Sequence, residues 1–181
     1  ALHTSDPLAL VWVVVPDRLQ SAAIRERIAV QHGAMATSVG RFSDLFAYLL
    51  GCSKKVVSVV PPALGIQLIQ HVVQATKRNG GLTHYAPLAE MSGFAQVLDQ
   101  AFIELKRALV LPDQFTAIAR SGSRAQQELA ALYAAYQDAL KAIQWADPEG
   151  LNWLALEELQ AQPQLAAGIR LLIFDGFDTF T

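Results

Sequence analysis

Apolar residues fall along this chain in two rhythms: unbroken runs near both ends, and a recurrence every three or four positions between them. Leu8-Ala-Leu-Val-Trp-Val-Val-Val15 is the first run, and its continuity and β-branched content predict a strand. Pro16 closes it, and Asp17 is placed to cap a helix running to about Gln31, with Gly33 as its stop. Leu19, Ala23 and Ile28 give that helix its apolar stripe, with Arg18, Arg25, Glu26 and Arg27 turned largely outward. Met35–Val39 reads as a second extended piece, and strand, helix, strand at this spacing predicts a right-handed βαβ unit with parallel strands. Gly40 then leads into a helix over Ser43–Leu50, one face of it made by Phe42, Leu45, Phe46 and Leu49. At the far end Leu171–Phe174 is again continuous and apolar. Such a run reads as a strand buried on both faces, the pattern of a central strand in a parallel sheet.

Between these ends the period is helical. Val56–Val60 is a strand or an extended linker, cut by Pro61-Pro62. Leu64, Leu68, Ile69, Val72 and Val73 then line one side of a helix that Asn79-Gly-Gly81 ends. A loop carries His84, Tyr85 and Pro87. Phe94, Leu98, Ala101, Leu105 and Ala108 step along the next helix, which Pro112 terminates. Ser123 and Gln126 have capping-box spacing and open a helix striped by Leu129, Leu132, Tyr133, Tyr136, Leu140 and Ile143. Asp147-Pro148 supplies a cap and a first-turn proline for a helix over Glu149–Gln160. The expectation is an α/β fold: one parallel sheet built by both ends of the chain, with a large all-helical insertion. The core would comprise residues 1–60 and 165–181, the insertion residues 61–164.

Composition narrows the function classes. The chain has 181 residues, 52% apolar and 17% charged, which suits a globular domain. Its longest strongly apolar run, Leu8–Val15, falls well short of the roughly 20 residues of a membrane span. A single cysteine, Cys52, cannot form an internal disulfide, and no signal peptide is visible, so a cytoplasmic setting is expected. Net charge is −2, so any nucleic-acid contact would come from a local patch. The chain begins without Met and stops straight after a buried-looking strand, which reads as a piece of a longer protein.

The residues that could carry chemistry are few. Asp175 ends the last strand and Gly176 follows it. Ligands of open α/β sheets lie beyond the carboxyl ends of the strands, where P-loop NTPases keep a Mg²⁺-binding carboxylate. Asp175 is therefore either a relic of such a ligand or a turn residue. His3, His32, His71 and His84 lack metal-ligand spacing and read as surface or loop residues. Trp145, Trp153, Tyr133 and Tyr136 could stack on bases, but stripes at helical spacing belong to cores. Lys54-Lys55 and Lys77-Arg78 are short solvated clusters, and Ser121-Gly-Ser123 is a loop with no strand before it. Phe174-Asp-Gly-Phe-Asp-Thr179 superficially matches the Asp-x-Asp-x-Thr of dehalogenase-type phosphatases, but its carboxylates are three apart and it closes the chain instead of opening it.

Several stretches, in order, resemble the N-terminal helicase-like region of the AddB-type (RexB-type) chains of ATP-dependent helicase–nucleases, and more broadly the first motor core of UvrD-like helicases. They are Val13-Val-Val-Pro-Asp-Arg-Leu-Gln20, Thr37-Ser-Val-Gly-Arg-Phe-Ser-Asp-Leu45, and Gly93-Phe94 followed by Phe102-Ile-Glu-Leu-Lys106. The last two are Tyr133-x-x-Tyr136 before Asp147, and Phe174-Asp-Gly-Phe-Asp-Thr-Phe-Thr181. The resemblance implies a partial P-loop (RecA-like) sheet and a DNA-contacting role in double-strand-break repair and recombination. It also implies a partner subunit of the helicase–nuclease, and single-stranded or duplex-end DNA as a weakly held ligand. In that likeness Thr37, Ser38, Arg41 and Phe42 meet the phosphates of a single strand. The other reading is that Thr37 ends a strand, Arg41 is solvated and Phe42 is core.

Two departures bear on the chemistry. No Gly-Lys-Ser/Thr phosphate loop occurs in these residues, and Gly176 stands where an active helicase has a water-positioning Glu. Asp175 and Gly176 would then be a vestigial nucleotide site, and the chain no enzyme by itself. Cofactors are expected only of the parent, as ATP and Mg²⁺. The family's four-cysteine iron–sulfur cluster has no counterpart here, and neither does its nuclease site. The alternative is an interaction scaffold that binds a partner subunit and no DNA.

Overall fold

The computed structural model describes residues 6, 8–30, 35–53 and 57–178. His3, His32, Gly33, Lys54, Lys55 and Thr179–Thr181 lie outside the described residues. The chain divides into two compact units, residues 1–56 with 151–181, and residues 57–150.

In the first unit β1 (Leu10–Val14), β2 (Thr37–Gly40) and β5 (Ile169–Phe174) form a three-stranded sheet in the order β2-β1-β5. Both pairings are parallel, with Val13 opposite Val39 on one side and Ile173 on the other. The two ends of the chain therefore build one parallel sheet, as the apolar runs predict. Helix α1 (Arg18–Val30) follows β1, and α2 (Phe42–Cys52) follows β2. They cover opposite faces: Ile24 and Ile28 of α1 pack on Val11, Val13, Val15 and Val39, while Leu45 and Leu49 of α2 pack on Trp12 and Val14. This division follows from the pleat, which turns successive side chains to opposite faces.

Two sequence expectations change here. Leu19 is 83% exposed and Ala23 is also exposed, so the inward face of α1 is Ser21, Ile24 and Ile28 and not the Leu19 stripe. Leu171–Phe174 is not a central strand buried on both faces. It forms an edge of the sheet, and its four side chains remain 38–45% exposed.

The second unit is helical: α3 (Pro62–Arg78), α4 (Phe94–Arg107), α5 (Pro112–Ala119) and α6 (Arg124–Ala142). Pro112 does not end α4, which stops at Arg107 before Leu109 turns the backbone at φ +56°; Pro112 is the first residue of α5, a position where its missing N–H costs nothing. Ser123 and Gln126 form the capping box at the start of α6, with Ser123 N–H donating to Gln126 Oε1 at 2.8 Å. The extended alternative for residues near Val60 holds in a short form. Here β3 (Ser58–Val59) pairs in parallel with β4 (Trp145–Ala146). Helix α7 (Pro148–Ala161), most of which belongs to the first unit, follows Asp147, whose carboxylate accepts the Gly150 N–H at 2.7 Å.

Buried polar groups hold this unit together. Glu128 of α6 accepts hydrogen bonds from Thr83 N–H, Thr83 Oγ1, His84 N–H and Tyr85 N–H, which ties the loop after α3 to α6. Lys106 of α4 is fully buried and ion-paired with Asp147, which also accepts from the Tyr136 hydroxyl at 3.1 Å. The Lys106, Tyr136 and Asp147 of the quoted motifs thus meet in one network, and Tyr133 and Tyr136 are core residues stacked near Phe102. No helix among the described residues is long and apolar enough to cross a membrane.

Candidate functional site

All three strands of the larger sheet point the same way, so their carboxyl ends meet at one edge of it. Gly40-Arg41, Val15-Pro16 and Asp175-Gly176 therefore gather there. At the β2 corner of this edge lies a pocket of about 260 Å³ lined by Arg18, Ser21, Arg25, Arg41 and Asp44.

Each side chain is positioned for a local reason. Arg18, Ser21 and Arg25 are spaced i, i+3, i+7 and so share one face of α1. Gly40 C=O accepts from Val15 N–H of β1, so the preceding Val39 C=O points the other way, off the open edge of the sheet. Ser21 Oγ donates to that carbonyl at 3.3 Å and Arg25 Nη2 donates to it as well, which fixes both side chains against β2. Arg41 is the N-cap residue of α2, and its backbone N–H donates to Asp44 Oδ2 at 2.8 Å. The Arg41 Nε lies 3.5 Å from the same oxygen, an ion pair with no hydrogen bond at Nε. Gly40 leaves the room this needs, since a Cβ there would come within 2.9 Å of Asp44 Cβ.

The electrostatic result is a local cationic site in a weakly acidic chain. Three guanidinium groups face one carboxylate, and among the described residues Arg18 and Arg25 have no carboxylate partner. Guanidinium forks beside a helix N-terminus suit an anion with several acceptor oxygens, such as a phosphate.

The four residues singled out for nucleic-acid contact are not all brought together. Arg41 lines the pocket. Thr37 begins β2, at the opposite end of the strand from Gly40 and roughly 10 Å away at the usual rise per residue. Its Oγ1 is buried and without a hydrogen-bond partner. Ser38 sits between them in β2, half-buried. Phe42 packs in an aromatic cluster, its ring centroid 5.9 Å from Phe46, 5.7 Å from Phe174 and 5.4 Å from Phe177. That packing ties the turn after β2 to the end of β5.

Asp175 is exposed at the end of β5, and its backbone N–H donates to Val14 C=O at 3.0 Å. Gly176 has φ +75°, and a Cβ placed on it would lie 2.2 Å from Gln20 Oε1. A side chain at this position meets both a left-handed backbone and a neighbour from α1. Among the described residues no group of three or more His, Cys, Asp or Glu is arranged to hold a metal ion.

Sequence reading placed Arg18 and Arg25 outward, where they are exposed, but missed that they line one pocket with the buried Ser21. Their i, i+3, i+7 spacing was the available signal, masked by the competing Leu19–Ala23 stripe.

Taken together, these observations define a mixed α/β protein with a small parallel sheet, a separate helical unit and a cationic pocket at the sheet's carboxyl edge. No protein-family model matches the chain, and no curated protein matches it.

Proposed function

We propose that this chain is a DNA-contacting scaffold without motor activity, a piece of an inactivated helicase-like domain from a helicase–nuclease of DNA repair and recombination. The arginine pocket at the carboxyl end of β2 carries this reading, because it concentrates cations where ligands of parallel sheets are bound. The ordered motifs support a partial P-loop (RecA-like) core, and the parallel order β2-β1-β5 is compatible with it. In this account Arg41, with Arg18 and Arg25, takes the backbone phosphates, and Thr37, Ser38 and Phe42 shape the strand and turn that present them. Such contacts position a strand without reading its sequence. The parent protein would bind ATP and Mg²⁺ elsewhere and act with a partner subunit in the cytoplasm. Here Gly176 offers no carboxylate to orient a water, so the chain itself turns over no ATP.

One observation favours the second reading, a scaffold for a partner subunit alone: the apolar, half-exposed edge strand β5. Fluorescence anisotropy with a labelled single-stranded oligonucleotide at low salt separates the two. Saturable binding supports the DNA reading, and a flat titration hands the case to the partner scaffold.

A further inference from the structure

The pocket's shape and charge say more than that it attracts DNA. A strand tracked along its backbone is bound by a groove with cations spread over several nucleotides. Here the cations converge instead: Arg18 and Arg25 from α1 and Arg41 from the start of α2 share one pocket of about 260 Å³. That volume is below the range of drug-sized ligand sites, and it suits a compact anion with part of a sugar. Three guanidinium groups and the Asp44 carboxylate leave a formal charge of +2. An internal phosphodiester carries a single negative charge, whereas a phosphomonoester carries about −1.5 to −2 near neutral pH and offers three acceptor oxygens.

We propose that this pocket is a phosphomonoester site, which in the DNA-contacting protein receives the terminal phosphate of a strand end. The inference rests on the DNA reading above and deepens it. Two of the pocket's guanidinium groups already have acceptors. Val39 C=O engages Arg25, which leaves the rest of that guanidinium fork for a ligand, and Asp44 engages Arg41. Asp44 thereby sets the affinity low, because an incoming phosphate must displace or share its hold on Arg41.

The test uses internally labelled oligonucleotides of one sequence, ending in a 5′-phosphate, a 3′-phosphate or hydroxyls at both ends, titrated with this chain at low salt. One of the phosphorylated ends binds about tenfold tighter than the hydroxyl-ended strand, in line with added charge-assisted hydrogen bonds. Arg18→Ala, an exposed substitution, abolishes most of that preference, and Asp44→Asn, which keeps an oxygen to accept the Arg41 N–H, strengthens binding of the phosphorylated end. A 5′- or 3′-mononucleotide in excess removes the preference and leaves hydroxyl-ended binding in place, showing that the pocket takes the monoester itself. Equal binding of all three strands overturns the terminal-phosphate inference while leaving the DNA reading intact. A preference that survives both Arg18→Ala and Arg41→Ala also overturns it, since the site would lie elsewhere. No binding of any strand overturns both.

Discussion

Replacing Glu128 by Gln tests how the helical unit is held together. Glu128 is 2% exposed, and it accepts from Thr83 N–H at 2.8 Å, Thr83 Oγ1 at 2.7 Å, His84 N–H at 2.9 Å, Tyr85 N–H at 3.0 Å and Arg124 Nε at 2.9 Å. Burial pushes the carboxyl pKa up, but the backbone and hydroxyl donors of Tyr85, His84 and Thr83 together outweigh it and bring the value from 4.5 down to about 2. That gap corresponds by proton linkage to about 3 kcal/mol of folding free energy. Solvent beside the loop screens part of it, and Gln keeps one accepting oxygen, so Glu128→Gln is expected to cost about 2 kcal/mol at pH 7. The folded-state pKa is depressed, so this contribution is fully present above pH 4.5 and is lost as pH falls through about 2. Urea unfolding followed by far-UV circular dichroism, for both proteins from pH 7 to pH 2, reads the effect directly. The two stabilities should differ by a constant amount above pH 5 and converge below it. A variant as stable as the wild type at pH 7, or a gap that does not narrow in acid, would refute the reasoning.

The Lys106–Asp147 pair makes an asymmetric prediction. Burial lowers the Lys106 pKa while Asp147 raises it, so Asp147→Ala removes the carboxylate hydrogen-bonded to this buried cation and should cost about 3 kcal/mol. Lys106→Met/Asp147→Ala should recover part of that loss in thermal melts, and a double variant no better than Asp147→Ala alone would count against the pairing. Gly176→Ala should destabilise the sheet unit by about 1–2 kcal/mol for its left-handed backbone. Gln20→Ala in the same chain relieves the steric contact but not that backbone cost, which denaturant titration of both variants can separate. Gly176→Glu should confer no DNA-stimulated ATP turnover, and phosphate release above a buffer blank would contradict this.

How far the sequence could be read depended on how local each signal was. The parallel sheet was legible because β1 and β5 are largely apolar runs and the short β2 follows β1 after a single helix, and such spacing admits few topologies. Caps were legible for the same reason: Asp17, Ser123 and Asp147 each accept a backbone N–H three residues on, as their positions imply. Choices between neighbouring stripes were not legible. Helix α1 offers both Leu19–Ala23 and Ser21–Ile24–Ile28, and packing on β1 selected the second, which also delivered Arg18 and Arg25 to the pocket. On α4 the polar Lys106 continues the buried stripe of Phe94, Leu98 and Phe102, because Asp147 neutralises it from 41 residues away. Helix α5 escaped notice since its N-cap is Leu111, whose backbone N–H is met by Gln114 Oε1 at 3.1 Å and not by a Ser, Thr, Asp or Asn.

The central claim is that the arginine pocket holds nucleic-acid phosphates. Its most direct test is the salt dependence of single-strand binding, measured by anisotropy for the wild type and Arg41→Ala. With one to three phosphates neutralised, log K should fall against log salt with a shallow slope of about −0.7 per phosphate. Arg41→Ala should remove about one such increment while the fold, followed by circular dichroism, stays unchanged. Absence of binding at low salt, or an Arg41→Ala titration that overlays the wild type at every salt concentration, would contradict the claim.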